Sequence, residues 1–413
     1  MNTYANVLTI AIPIFFSLVL VEILYGLISK KHYYNLMDTL SSLSSGITNL
    51  LKDLLGIGII IISYPFIKKS ISIVELNESI LLYSIAFICL DFASYWNHRL
   101  NHSINFFWNQ HVIHHSSQEF NLACALRQSI SNLLGYGAIF LIPAALFGVP
   151  HKVIALLAPL HLFGQFWYHT KHIGRLGLLE YIFVTPSQHR VHHAINPEYV
   201  DKNLSAIFCI WDRLFGTFQE ELENVPCVYG TLEPVNTWNP FIINFQHLWY
   251  LSIDAWYTKK FINKIKIWFM PTGWRPNDVK ERYKRDKIID VYNQQKYKIE
   301  YRNIHIFYAV FHFTYINAVL WLLLTGYDEL ENNLKIFYSI FIVTTIFGFT
   351  SVMDSYKWAS YIELLRLMLS LILINNMFEF ESFNFYLFNF YFMFSIFLTL
   401  MVSNYLSKEN KMV

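Results

Sequence analysis

"SILLYSIAFICLDFASYWNHRLNHSINFFWNQHVIHH" occupies residues 79–115. Its first half is an apolar run close to the roughly 20 residues that cross hydrocarbon. Its second half places five histidines between residues 98 and 115. The stretch therefore predicts a membrane helix that ends in a cluster of imidazoles.

The composition points the same way. Of 413 residues, 54% are AVILMFWYC, 18% are aromatic and only 15% are charged, against about 25% charged in soluble domains. Thirty-six Phe and 27 Tyr are more than one soluble core can hide. Apolar runs at 6–28, 304–325, 335–350, 360–377 and 384–403 also approach span length, and their recurrence favours lipid over a buried soluble bundle. The run "LLGIGIIIISYPFI" at 54–67 is shorter and reads as a span or a re-entrant hairpin. Residues 133–149 and 153–168, separated by Pro150, His151 and Lys152, predict a tight hairpin. The first run lacks a basic flank and a small-x-small cleavage site, so it reads as a retained anchor. Four scattered cysteines make neither a disulfide framework nor a zinc knuckle. The net charge of +2 is uninformative by itself, and no nucleic-acid partner is expected.

Three regions follow: transmembrane helices at 1–97, a histidine-rich catalytic region at 98–303 containing the 133–168 hairpin, and transmembrane helices with a polar tail at 304–413. Between Lys259 and Arg302 there are thirteen Lys and Arg against five Asp and Glu. Short basic stretches beside spans favour the cytoplasmic side. Within them, "KKFINKIKIWF" (259–269) mixes Lys with Phe, Ile and Trp at helical spacing. It reads either as an interfacial helix or as a solvated basic loop.

The histidines recur in three boxes. His98 and His102 stand four apart, on one face of a helix. His111, His114 and His115 follow i, i+3, i+4, and so do His189, His192 and His193. His169 lies at the exit of the hairpin, with His172 three residues on. A single histidine on an apolar face is usually a satisfied core residue. Eight in this pattern are costly to gather near apolar surroundings unless something uses their lone pairs. A divalent metal does so, and at four to six ligands each the set supplies two ions. Structural zinc sites favour Cys and His in a closed set of four, and soluble di-iron bundles use Glu-x-x-His; neither motif is present. An all-histidine pair in an apolar membrane protein points to iron that binds O2 and oxidises a lipid chain. Asp91, Glu180 and Asp201 are the acids near enough in sequence to orient ring N–H groups. Arg127 follows the second box and is a candidate contact for an anionic headgroup or a reductant.

The boxes, in this order and around a hairpin, resemble the fatty acid hydroxylase/sterol desaturase superfamily. "NQHVIHHSSQEFNLACALRQS" (109–129), the stretch 165–221 around "SQHRVHH", and "PTGWRP" (271–276) look closest to its alkylglycerol monooxygenase branch. The resemblance implies that His98, His102, His111, His114, His115, His189, His192 and His193 ligate two Fe ions, with His169 the additional histidine between boxes. It implies O2-dependent oxidation of a membrane lipid with an external electron donor, which in that branch is tetrahydrobiopterin. There the carbon beside an ether oxygen is hydroxylated, and the product falls apart into a fatty aldehyde and a glycerol. Fatty acid or sterol hydroxylation or desaturation is the alternative within the superfamily. The chain has Gln188 and Ser103 where animal members of the branch carry His and tend to carry Glu. These differences bear on reductant and substrate more than on the metal.

The expected fold is all-α: a polytopic membrane helical bundle with a cytoplasm-facing helical cap carrying a histidine-rich dimetal site. The expected location is the inner membrane for a bacterial source or the endoplasmic reticulum for a eukaryotic one. A histidine-lined metal transporter and an inert zinc-stabilised scaffold are the rivals from other classes. The boxes sit at span ends rather than the midplane and contain few carboxylates, which argues against transport.

Overall fold

The computed structural model describes residues 4–377 and 382–409; the last four residues of the expected polar tail lie outside them. Helix α1 (Tyr4–Ile28) is mostly apolar, with Glu22 its one charged residue, and contains Pro13. Helix α2 (Leu36–Leu54) begins at Asn35, whose side chain accepts from the backbone N–H groups of Met37 and Asp38, donors that a first turn leaves free. Helix α3 (Ile80–Ser103) starts at Ser79, whose hydroxyl accepts from Leu82 N–H, and carries His98 and His102 in its last turns. The single turn α4 (Val112–His115) bears the second box, and α5 (His151–Phe163) is the second arm of the hairpin. Helix α6 (Pro186–His193) carries the third box. Its proline stands at the first position, where the missing N–H costs nothing. Helix α7 (Pro240–Tyr257) is capped by Asn239, and α8 (Phe261–Phe269) follows it directly. Helices α9 (Asn303–Thr325), α10 (Asn332–Met353), α11 (Ala359–Met377) and α12 (Phe383–Glu409) complete the described chain as a bundle with short connections.

The structure is mostly helical, and among the described residues five helices are long and apolar enough to cross a membrane: α1, α3, α9, α10 and the Phe383–Ser403 part of α12. The chain is an integral membrane protein. Two apolar runs differ from expectation. The run at 360–377 does form helix α11, but Glu363 and Arg366 lie within it, and it is not among the five. The run at 54–67 is no span. Gly56 takes a left-handed φ of +64° and ends α2; Ile59–Ile60 then pairs in parallel with Leu134–Gly135, and a short helix, Tyr64–Ile71, follows. The Tyr64 hydroxyl donates to Val149 O at 2.8 Å. This segment therefore packs beneath the 133–168 hairpin, in a shared core with α3 that includes Leu82, Ala86, Ala144 and Val149.

Three buried acids, one on each of α1, α2 and α3, tie these helices to segments that come later in the chain. Glu22 of α1 accepts from Leu122 N–H at 2.8 Å and from the hydroxyls of Tyr34 and Thr170. Asp38 of α2 pairs with Arg127 at 3.0 Å and accepts from Ser117 at 2.6 Å. Asp91 of α3 accepts from Ile207 N–H, Phe208 N–H and the Trp211 indole at 2.9–3.0 Å, and faces His161 at 2.7 Å. A carboxylate taken out of water must collect this many donors to be tolerated, and in doing so it fixes both sides of the contact. On the opposite flank, Asp354 between α10 and α11 accepts from Trp238 N–H at 2.7 Å and from the hydroxyls of Thr237 and Tyr297. That contact docks the C-terminal bundle against the central region.

Candidate metal centre

The helices above bring nine histidines into two adjoining groups. His98, His102, His111, His115 and His192 form one; His114, His169, His189 and His193 form the other. Within each group one ring nitrogen per residue lies within 4.8 Å of all the others. The second box divides between them because His111 and His115 share one face of a turn and His114 points to the other side. The groups touch: the rings of His115 and His193 stack at 4.4 Å, and those of His114 and His193 meet at 4.6 Å.

Hydrogen bonds on the outer side fix the tautomers. The Nδ1 atoms of His98, His114, His169 and His192 face the carbonyl oxygens of Leu204, Arg127, Gln165 and Lys202 at 2.8, 3.2, 3.0 and 3.0 Å. His102 Nδ1 faces Asp201 at 3.1 Å. A carbonyl can only accept, so Nδ1 carries the proton and Nε2 is left as a bare lone pair. His114 Nε2 and His169 Nε2 nevertheless face each other at 3.4 Å. Two lone pairs at that distance repel unless a cation lies between them. The other contacts converge similarly: His98 and His111 Nε2 are 2.9 Å apart, His111 and His115 3.1 Å, and His169 and His189 2.8 Å. Nitrogens bound about 2.1 Å from one ion stand roughly 3.0–3.4 Å from each other. The Nε2 atoms of His102 and His192 are buried without any protein partner. By donor type, tautomer and spacing, each group fits a metal ion.

Burial sets the charge state. It pushes the imidazoles of His111, His115, His169, His189, His192 and His193 well below the usual histidine range, with neighbouring histidines adding to the effect. His114 is pushed down to about 3 by the same causes, burial first. The rings are neutral at physiological pH, the form that ligates.

One wall of a cavity of about 280 Å³ is made by His102, His115, His192 and His193, with Trp108 beside them. The facing wall comes from far along the chain: Thr231, Glu233, Gln246, His247, Tyr250 and Lys287 are its polar members. Val112, Ile195, Val200, Leu232, Val235 and Ile243 supply the apolar surface. The first group thus opens on the chamber through His102, His115 and His192, and the second reaches it through His193. The second group is also flanked by aromatic rings, with Tyr168 4.2 Å from His189 and Phe120 5.3 Å from His193.

The remaining residues singled out from sequence separate clearly. Asp201 lies against His102, as an orienting acid would. Asp91 has its four partners elsewhere and touches none of the nine histidines. Glu180 accepts from Leu176 N–H and from the hydroxyls of Thr185 and Ser187, bracing the start of α6 without reaching a ring. The expectation that Arg127 meets a headgroup is corrected. Its side chain is buried, and its guanidinium is taken by Asp38, Ser42 and Ser116; its backbone carbonyl holds His114. His172 lies outside both groups, between the rings of Tyr25 and Tyr33. The sequence missed the four orienting carbonyls, because any residue can supply one. It also missed the wall at 230–287, where only Ile243, Gln246, His247 and Tyr250 follow a helical period and the other lining residues come from loops.

The fatty acid hydroxylase family model matches residues 83–217. The chain is 41% identical over 268 residues to alkylglycerol monooxygenase of Homo sapiens and 38% over 263 residues to that of Xenopus tropicalis. It is 31% identical over 134 residues to an ornithine lipid hydroxylase of Rhizobium tropici. The first two alignments cover 64% and 63% of this chain and 59% and 58% of those proteins; the third covers 32% and 40%. The chain therefore spans less than two thirds of the length of these curated relatives. No solved structure matches it. The matches bear out the resemblance drawn from the boxes, to the superfamily and to its alkylglycerol monooxygenase branch.

Proposed function

We propose that the fatty acid hydroxylase region of this chain works as a membrane di-iron oxygenase that hydroxylates a lipid beside an ether oxygen, as the name of its alkylglycerol monooxygenase relatives suggests. The observation that carries this reading is the convergence of ring nitrogens in two touching groups beside a cavity, with Nε2 left bare on His98, His102, His114, His169 and His192. His98, His102, His111, His115 and His192 would hold one iron, and His114, His169, His189 and His193 the other. Two irons there would supply O2 reduction and C–H hydroxylation, drawing two electrons from a donor outside the chain, either tetrahydrobiopterin or another reductant.

The protein's own share is placement. The carbonyls of Leu204, Arg127, Gln165 and Lys202 hold the rings in one tautomer and orientation. Thr231, Gln246, Tyr250 and Lys287 offer donors and Glu233 an acceptor to a polar headgroup. Val112, Ile195, Leu232 and Ile243 cover the first carbons of the chain and exclude water. A cavity of this size takes a headgroup and the carbons next to it, so the rest of a long tail lies elsewhere, towards the bilayer. The basic stretch between Lys259 and Arg302 supports a site facing the cytoplasm. We assign the catalytic role to residues 98–303 and anchoring to 1–97 and 304–413.

The test is aldehyde formation. Detergent-purified protein loaded anaerobically with Fe(II) should convert an alkylglycerol, with O2 and tetrahydrobiopterin, to a fatty aldehyde. Bound iron without aldehyde would remove the ether substrate or the pterin. The similarity to an ornithine lipid hydroxylase supports the second reading, hydroxylation of another lipid such as a fatty acid or sterol.

A further inference from the structure

Helix α8 is turned inside out for a helix on a water-facing surface. Such helices direct their apolar stripe inward. Here Phe261, Ile265 and Phe269, at i, i+4 and i+8, join Ile262 on the outer face, with Phe261 74% and Phe269 65% exposed. The one buried residue, Ile267, lies on the opposite side. Lys259, Lys260 and Lys266 are exposed around this face. Lys264 instead donates to the carbonyls of Ala255 and Trp256 at 2.9 and 2.7 Å, folding α8 back on the end of α7.

Helix α7 has two faces with different neighbours. Ile243, Gln246, His247 and Tyr250 line the cavity beside the histidines. Phe245, Trp249 and Trp256 project from another side, the tryptophans 65% and 77% exposed. Both ends of the α7–α8 hairpin are tied to places where spans finish. Asn239, the cap of α7, donates to Ser351 Oγ at 2.9 Å in the last turn of α10. Asn105, two residues past α3, donates to the α8 carbonyl of Ile267 at 2.9 Å and to that of Met270 at 3.1 Å. The hairpin thus runs between the emerging ends of two membrane helices, at the level of a bilayer surface.

We propose that the α7–α8 hairpin is a membrane-contact surface, seated on an anionic leaflet, and that α7 is the partition between that lipid and the histidine cavity. Outward Phe, Ile and Trp enter the headgroup–acyl boundary, where aromatic residues concentrate. The lysines around them meet acidic headgroups. Charge complementarity and the tethers to α3 and α10 select a bilayer as the occupant. The inference is independent of the chemistry at the histidines.

The test places nitroxide labels at Ile265→Cys and Phe269→Cys in the full chain, reconstituted in phosphatidylcholine vesicles with and without phosphatidylglycerol. Labels at Ile10→Cys on α1 and Glu223→Cys in an exposed loop give the lipid and water references. With phosphatidylglycerol, the two α8 labels should collide with O2 more than with a water-soluble nickel complex, as at position 10. Without it they should shift towards the value at position 223, and replacing Lys259, Lys260 and Lys266 with Gln should remove the difference between vesicles. Labels that behave as at position 223 in both vesicles would overturn the membrane contact. Labels immersed equally in both vesicles would overturn the anionic preference. All four labels stand at exposed positions, and normal reconstitution of each chain checks that the fold is kept.

Discussion

Two of the settings in which the protein buries histidines contrast sharply, and the difference shows what a metal centre requires. In the C-terminal bundle, His312 of α9 meets Tyr391 of α12 through Nδ1 at 2.7 Å, and its Nε2 lies 4.0 Å from Glu363 of α11. Glu363 is in turn held by Arg366 at 2.8 Å, and Arg366 donates to Thr345 at 2.9 Å. A Cβ at Gly348 of α10 would lie 1.9 Å from the Glu363 carboxylate, so the glycine leaves the notch that admits it. Charge cancels within this cluster, and four helices are joined by it. In the central region nine imidazoles gather with only Asp201 against one of them, carbonyls draw the protons of four of them outward, and ring nitrogens converge within each group. The first arrangement answers its own charge. The second asks for a cation.

The strongest way to break this contrast is to remove a ring from the central set. His114→Ala should abolish turnover and release the metal of its group, beyond the roughly 10–100-fold loss typical when only an outer partner of a ligand is changed; elemental analysis beside an activity assay checks it. Next in size, Glu363→Ala leaves Arg366 buried without its partner. A loss of about 3–5 kcal/mol in stability is expected, read by thermal unfolding, while metal per folded chain stays unchanged. If metal fell with Glu363, the two settings would be coupled. Smaller again, Asp201→Asn should weaken metal binding about ten-fold, because the His102 ring keeps its place but loses a charged acceptor. Last, Gln246→Leu removes a polar group from the cavity wall. A rise in KM of about five-fold with kcat unchanged is expected, about 1 kcal/mol for one hydrogen bond.

Much of the central region could be read in advance because its chemistry follows helical periodicity. The spacings H-x3-H and H-x2-HH put rings within about one turn of each other whatever the tertiary fold, and the apolar hairpin between boxes returns the chain to the same side. Features without a period were hidden. Asp91 stands seven residues before His98, two turns along α3, but at 1.5 Å per residue that is about 10.5 Å away, and its carboxylate serves the 207–211 loop instead. Arg127 lies close to the second box in sequence, yet its side chain turns into the protein towards Asp38. Helix α2 escaped notice because buried Ser41, Ser42, Ser44 and Ser45 interrupt its apolar pattern. The segment at 54–67 reads by composition as a span or a re-entrant hairpin, and its glycines and Pro65 make it a strand and a short helix.

Each histidine group is proposed to hold one metal ion. Anaerobic Fe(II) titration of the purified chain, with iron counted per folded molecule, tests it most directly. Two irons per folded chain are expected, falling to one in His111→Ala. A folded chain that binds none, or that binds only one before any histidine is changed, would contradict it.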